Sequence, residues 1–122
     1  NEMMMVMLTV GAAELGEAKA VGDWIHRNLV GYLKPPFNVR SETADNNNGY
    51  ILATSAGFVQ SFIYGLSGLR IDDKGLDAKY APILPPDWKA VTLKGITFRG
   101  RHYDVTIERG AGGKATLVRK EL

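Results

Sequence analysis

The 122-residue chain contains no cysteine. That removes disulfides, thiolate nucleophiles and zinc–cysteine sites, and it leaves the redox compartment open. Histidine is nearly as scarce. His26 lies in a helical stretch and His102 in a strand-like one, and nothing resembling H-E-x-x-H occurs, so no metal site is implied. Charge of one sign is lacking too: fifteen basic residues face thirteen acidic ones, for a formal net charge of +2. Basic residues never cluster beyond pairs such as Arg119–Lys120, so neither a nucleic acid nor an anionic membrane is implied as partner. No run approaches the roughly eighteen apolar residues that a membrane helix needs. The opening "MMMVMLTVGAA" has the look of a signal-peptide core, but Glu2 precedes it where a basic region belongs, and Glu14 follows. "GAGG" at 110–113 lacks the lysine and helix of a phosphate loop and reads as a turn; no cofactor is implied.

What is present suffices for one modest core, with 45% hydrophobic residues. The spacing predicts helices from Met3 to Leu33, broken at Gly16 and resumed at Glu17. In the second helix Val21, Ile25, Leu29 and Tyr32 or Leu33 recur every three or four residues and make one apolar stripe. Pro35–Pro36 stops it. Met3–Ala13 is apolar on all sides and wants neighbours on several faces, which suggests a piece of a larger domain. A third helix is expected over about Ser55–Leu66, with Thr54 or Ser55 as its cap and Gln60 facing a buried environment.

From Leu69 the period changes to two. Tyr103, Val105 and Ile107 share one face of a strand, with His102, Asp104, Thr106 and Glu108 on the other. Val91 and Leu93 fall out of phase with Ile96 and Phe98, which predicts a bulge near Gly95. Arg99-Gly100-Arg101 predicts a tight hairpin, and Gly110–Gly113 a looser one. The fold class is therefore α+β: residues 1–68 helical, and residues 69–122 a small antiparallel β-domain.

Chemistry, if any, concentrates in the polar segment between the second and third helices. Glu42 stands there between the proline brake and "ADNNNGY", with Phe37 and Val39 alternating toward it. One reading is a solvated turn, in which Asp45 opens the bend. The other is a carboxylate held near apolar walls, as a general base must be; Asp45 is its rival for that role.

The run "PPFNVRSETADNNNGYILATSAGFVQSFIYGLSGLRI" resembles the end of the helical barrel of glycoside hydrolase family 65. "LDAKYAPILPPDWKAVTLKGITFRGRHYDVTI" is similar to that family's C-terminal β-domain. The resemblance covers about residues 32–107, is strongest over "SAGFVQSFIYGLSGLR", and implies the last helices of an (α/α) barrel followed by the β-domain. It also implies inverting chemistry on an α-linked disaccharide or glucosyl substrate. The remaining barrel would carry the general acid, and the 122-residue chain alone would be inactive. The family's phosphorylases hold phosphate with a His, a Ser and a Gly-Gly pair; here the matching positions are Ile51, Thr54 and Ala56-Gly57. Isoleucine cannot hydrogen-bond phosphate, which weighs against that branch. The hydrolase branch, with the acid trehalases and glucosylgalactosylhydroxylysine glucosidases, carries a hydroxyl–Glu pair, commonly after a tryptophan. Ser41-Glu42 matches the pair, and Arg40 takes the tryptophan's place. The resemblance thus makes Glu42 the water-activating residue, with Ser41, Thr54, Ser55 and Gly57 as candidates to orient sugar hydroxyls. Arg40 would also bring a positive charge into the neighbourhood of Glu42. Thr54 and Ser55 serve equally well as helix caps, and a non-catalytic sugar-binding or structural module stays open beside both enzyme readings.

Overall fold

The computed structural model describes residues 1–45 and 51–122. Helix α1 (Glu2–Glu14) begins at an Asn1 cap whose side-chain oxygen accepts the Met4 N–H at 3.1 Å. It buries Glu2, Val6, Thr9 and Ala13, a stripe at spacings of four, three and four. Met4, Met7 and Leu8 stay exposed, Met7 by 63%. Gly16, at φ +79°, ends that helix in a backbone conformation that side chains disfavour. Helix α2 (Ala18–Tyr32) buries Val21, Ile25, Asn28 and Tyr32. The predicted stripe holds at Val21, Ile25 and Tyr32, but Leu29 is exposed and Asn28 takes the inner position.

Two features of the next segment are absent from the sequence reading. A short antiparallel pair, β1 (Leu33–Lys34) and β2 (Val39–Arg40), brackets the prolines. Phe37, expected to anchor the segment, is exposed at its tip. The third helix begins earlier than expected. Helix α3 (Leu52–Gln60) has Ile51 in the cap position with no side-chain cap, and it continues as a π-helical segment over Ser61–Leu66. Thr54 and Ser55 lie inside the first turn, because the Thr54 hydroxyl donates to the Ile51 carbonyl at 2.7 Å instead of capping an N–H. Gln60 is exposed, contrary to expectation.

A small hairpin, β3 (Leu69–Ile71) with β4 (Leu76–Ala78), leads into the proline-rich connector. The main sheet has the order β5 (Ala90–Phe98), β6 (Arg101–Arg109), β7 (Ala115–Glu121), all antiparallel. Leu93 pairs with Val105 and Ile96 with Tyr103, so β5 spends one extra residue at the predicted bulge. Gly95 sits there at φ +70°, its N–H donating to the Asp104 carboxylate at 3.0 Å. Arg99 and Gly100 both have positive φ and form the two-residue turn that matches sheet twist.

The helices and the sheet share their packing. Ala13, Val21, Ile25, Leu66, Ile83, Leu84 and Ile107 form one buried cluster. Leu69, Leu76, Tyr103 and Val105 form a second under the bulged strand. Two side chains fasten the connector. Arg109 donates to the carbonyls of Trp88 at 3.2 Å, Pro85 at 2.8 Å and Gly113 at 2.8 Å. Tyr80 donates to the carbonyls of Tyr64 and Gly65 in the π-helical segment, where backbone pairing is irregular. Trp88 stacks with Phe62 at 6.3 Å between ring centres, so it seals the helix–sheet junction.

Candidate functional site

Glu42 is gripped by its backbone. Its carbonyl accepts the Glu2 N–H at 2.9 Å, from the first turn of α1. One residue earlier, the Ser41 N–H donates to the Tyr32 carbonyl at 2.8 Å, at the end of α2. Two residues later, the Lys34 ammonium donates to the Ala44 carbonyl at 2.6 Å. The segment 41–44 is therefore stitched to backbone groups of α1 and α2 and to the Lys34 side chain. Ser41 is buried, Glu42 half-buried, and Asp45 exposed.

Arg40 turns its guanidinium to Glu2, Asn28 and Phe58. Its Nε donates to the Glu2 carboxylate, its Nη2 donates to the Asn28 carbonyl at 2.9 Å, and its guanidinium lies 4.0 Å from the centre of the Phe58 ring. Both partners of this ion pair are buried, Glu2 fully and Arg40 with 7% exposure. Removing one member of such a pair costs about 3–5 kcal/mol, because the other charge stays behind without water. One Glu2 oxygen, Oε2, and the Asn28 side-chain oxygen are buried with no hydrogen-bond partner among the described residues. The pair is thus strong in position and, among the described residues, incomplete in polar satisfaction.

The remaining nominated residues lie along α3. Thr54 is buried with its hydroxyl committed to Ile51, while Ser55 is half-buried. Gly57 is the sixth residue of the helix, away from the free N–H groups of its first turn. A Cβ at Gly57 would meet both Val6 methyls at 3.4 Å, so its smallness serves the α1–α3 approach. The helix thus starts five residues before the glycine expected to lie near its start.

Beside the segment, Met5, Val30, Gly31, Tyr32 and Ala44 help line an apolar cavity of about 320 Å³. Among the described residues, no group of three or more His, Cys, Asp or Glu side chains is placed to hold a metal.

Sequence reasoning missed Glu2, Asn28 and the role of Arg40. Glu2 lies 38 positions before its partner and carries no motif, and an isolated acid at a helix start reads as a favourable dipole contact. The buried asparagine in α2 breaks the apolar stripe at one position, a faint signal that was available.

Residues 69–117 match the family profile described as glycosyl hydrolase family 65, C-terminal domain. A protein-glucosylgalactosylhydroxylysine glucosidase of Danio rerio is 33% identical over 102 residues, 83% of this chain and 15% of that protein. A kojibiose hydrolase of Flavobacterium johnsoniae is 35% identical over 74 residues, 61% of this chain and 11% of that protein. An alpha,alpha-trehalose phosphorylase of Geobacillus stearothermophilus is 32% identical over 84 residues, 69% of this chain and 10% of that protein. The chain therefore spans a small part of the length of the curated relatives it matches.

Proposed function

We propose that this chain, which belongs through residues 69–117 to glycosyl hydrolase family 65, is the C-terminal part of an inverting hydrolase of α-glucosides. In this reading residues 1–68 are the last helices of its catalytic barrel, and Glu42 is the general base. The observation that carries it is the tethering of residues 41–44 to α1, α2 and β1, with the Glu42 residue left half-open. A base must be held still to within a fraction of an ångström, and this backbone is held on both sides of the residue.

The chemistry follows from inversion. One carboxylic acid protonates the leaving oxygen while a carboxylate roughly 6.5–9.5 Å away deprotonates a water on the opposite face of the ring. Glu42 supplies the second function; the acid belongs to the rest of the barrel. Ser55, half-buried on α3, is the residue open enough to orient a sugar hydroxyl. The buried Ser41 supports Glu42, and Thr54 and Gly57 shape α3. The substrate carries an α-linked glucosyl group, a reading that draws on the two glycoside-hydrolysing relatives. The exposed apolar side chains Met4, Met7, Leu8, Leu52 and Val59 are the surface that the remaining barrel helices would cover.

In the complete protein, Glu42→Gln should lower kcat by about 10²–10⁴-fold, the ordinary contribution of a general base, with little change in melting temperature. Activity within about tenfold of wild type would sink the assignment. NMR of the first product should show the β-anomer of glucose. The trehalose phosphorylase relative favours phosphorolysis as a second reading, and Ile51 opposes it. Release of a sugar phosphate that depends on inorganic phosphate would decide for the second.

A further inference from the structure

We infer that the buried Glu2–Arg40 pair is the positioning device for Glu42, and that Arg40 is a support for the base and not a wall of the sugar site. This rests on Glu42 being the base. Glu2 holds the segment twice over. Its side chain receives the Arg40 guanidinium, and its backbone N–H donates to the Glu42 carbonyl at 2.9 Å. The residue between them, Ser41, is fully buried, with its N–H on the Tyr32 carbonyl at 2.8 Å. Arg40 in turn joins α2, through the Asn28 carbonyl at 2.9 Å, to α3, through the Phe58 ring at 4.0 Å. Helices α1, α2 and α3 thus converge on the residue two places before Glu42.

Stability alone does not require such a pair. Apolar side chains of similar volume commonly replace a buried ion pair without loss of stability. What they lack is direction. A guanidinium offers donors in a fixed planar fork, so Arg40 fixes an angle as well as a distance. A floating base costs rate steeply, since a displacement of about 1 Å can cost on the order of a hundredfold.

The experiment uses the complete protein and three variants. Glu2→Leu with Arg40→Met removes both charges together and leaves neither stranded. Arg40→Lys keeps the charge but loses the fork. Glu42→Gln reports on the base itself. The double variant should keep its melting temperature near wild type, lose about tenfold to a hundredfold in kcat, and hold KM within about twofold. Arg40→Lys should fall between the two in kcat, again with KM unchanged.

A double variant with wild-type kcat overturns the inference, as does an Arg40→Lys protein that folds and turns over at the wild-type rate. A rise in KM at constant kcat also overturns it, because that split belongs to a substrate contact. An active Glu42→Gln protein is a different failure: it removes the base, and the reading on which the pair depends goes with it.

Discussion

The two halves of this chain meet their polar and apolar demands in opposite ways. In the sheet, the bulge and the turns are satisfied within a few residues or by the adjacent strand. The longer reaches of Arg109 and Arg119 go to backbone carbonyls of the connector and of β4. The Gly95 N–H is taken by Asp104, directly across the bulge, and the turn at Arg99–Gly100 has the backbone that a two-residue hairpin requires. Tyr103, Val105 and Ile107 turn inward at every second position. In the helical half the decisive contacts are distant. Glu2 reaches Arg40, Arg40 reaches Asn28 and Phe58, and several large apolar side chains stay exposed. A locally closed region is a scaffold. A region with far-reaching polar contacts and open apolar faces is where the proposed function would place the rest of the barrel and its chemistry.

The contrast can be broken most severely at the joint between the halves. Ile107→Ala should lower unfolding free energy by about 2–5 kcal/mol, since Ile107 is fully buried among residues of α1, α2 and the connector. A single urea transition shifted as a unit would show that helices and sheet unfold together; two separated transitions would show that the shared cluster does not couple them. A milder pair of variants sharpens the difference in coverage. In the complete protein, Met7→Glu should cost about 2 kcal/mol or more, by burying a charge under the remaining helices, while Val118→Glu on exposed β7 should stay within about 0.5 kcal/mol. Equal, small effects would mean that the face of α1 meets only water.

The smallest expected effect is a pH dependence. Burial raises the Tyr80 phenol above its ordinary pKa, against the lowering influence of Arg70. Its folded-state pKa is thus higher than its unfolded one. The stability it contributes is full below about pH 10 and falls as pH rises through the folded value. Melting temperature should decline across that alkaline window, and Tyr80→Phe should flatten the decline while losing the two hydrogen bonds to Tyr64 and Gly65. An unchanged slope in the phenylalanine variant would show that another group governs it.

The same difference explains what the sequence could reveal. The bulge, both sheet turns and the inward face of β6 are written in alternation and in glycine positions, which are local. The first two helices and the break at Gly16 are legible for the same reason. The start of α3 is not, because Thr54 bonding backward inside a turn and Thr54 capping a helix have the same letter. Glu42 emerges through the Ser41-Glu42 resemblance, but what holds it does not. Phe37, which alternation nominated as an anchor, is exposed, and the real anchors come from α1, α2 and Lys34. A contact across 38 positions leaves no periodicity to read.

The cluster that seats Ile107 of β6 beside Ala13 of α1 and Val21 and Ile25 of α2 also rules out one kind of motion. A β-domain that shares a buried cluster with the helices through Ile107 does not swing away from them like a door. If the proposed function holds, the passage of sugar and product falls to other parts of the barrel, with this sheet a fixed floor beside them.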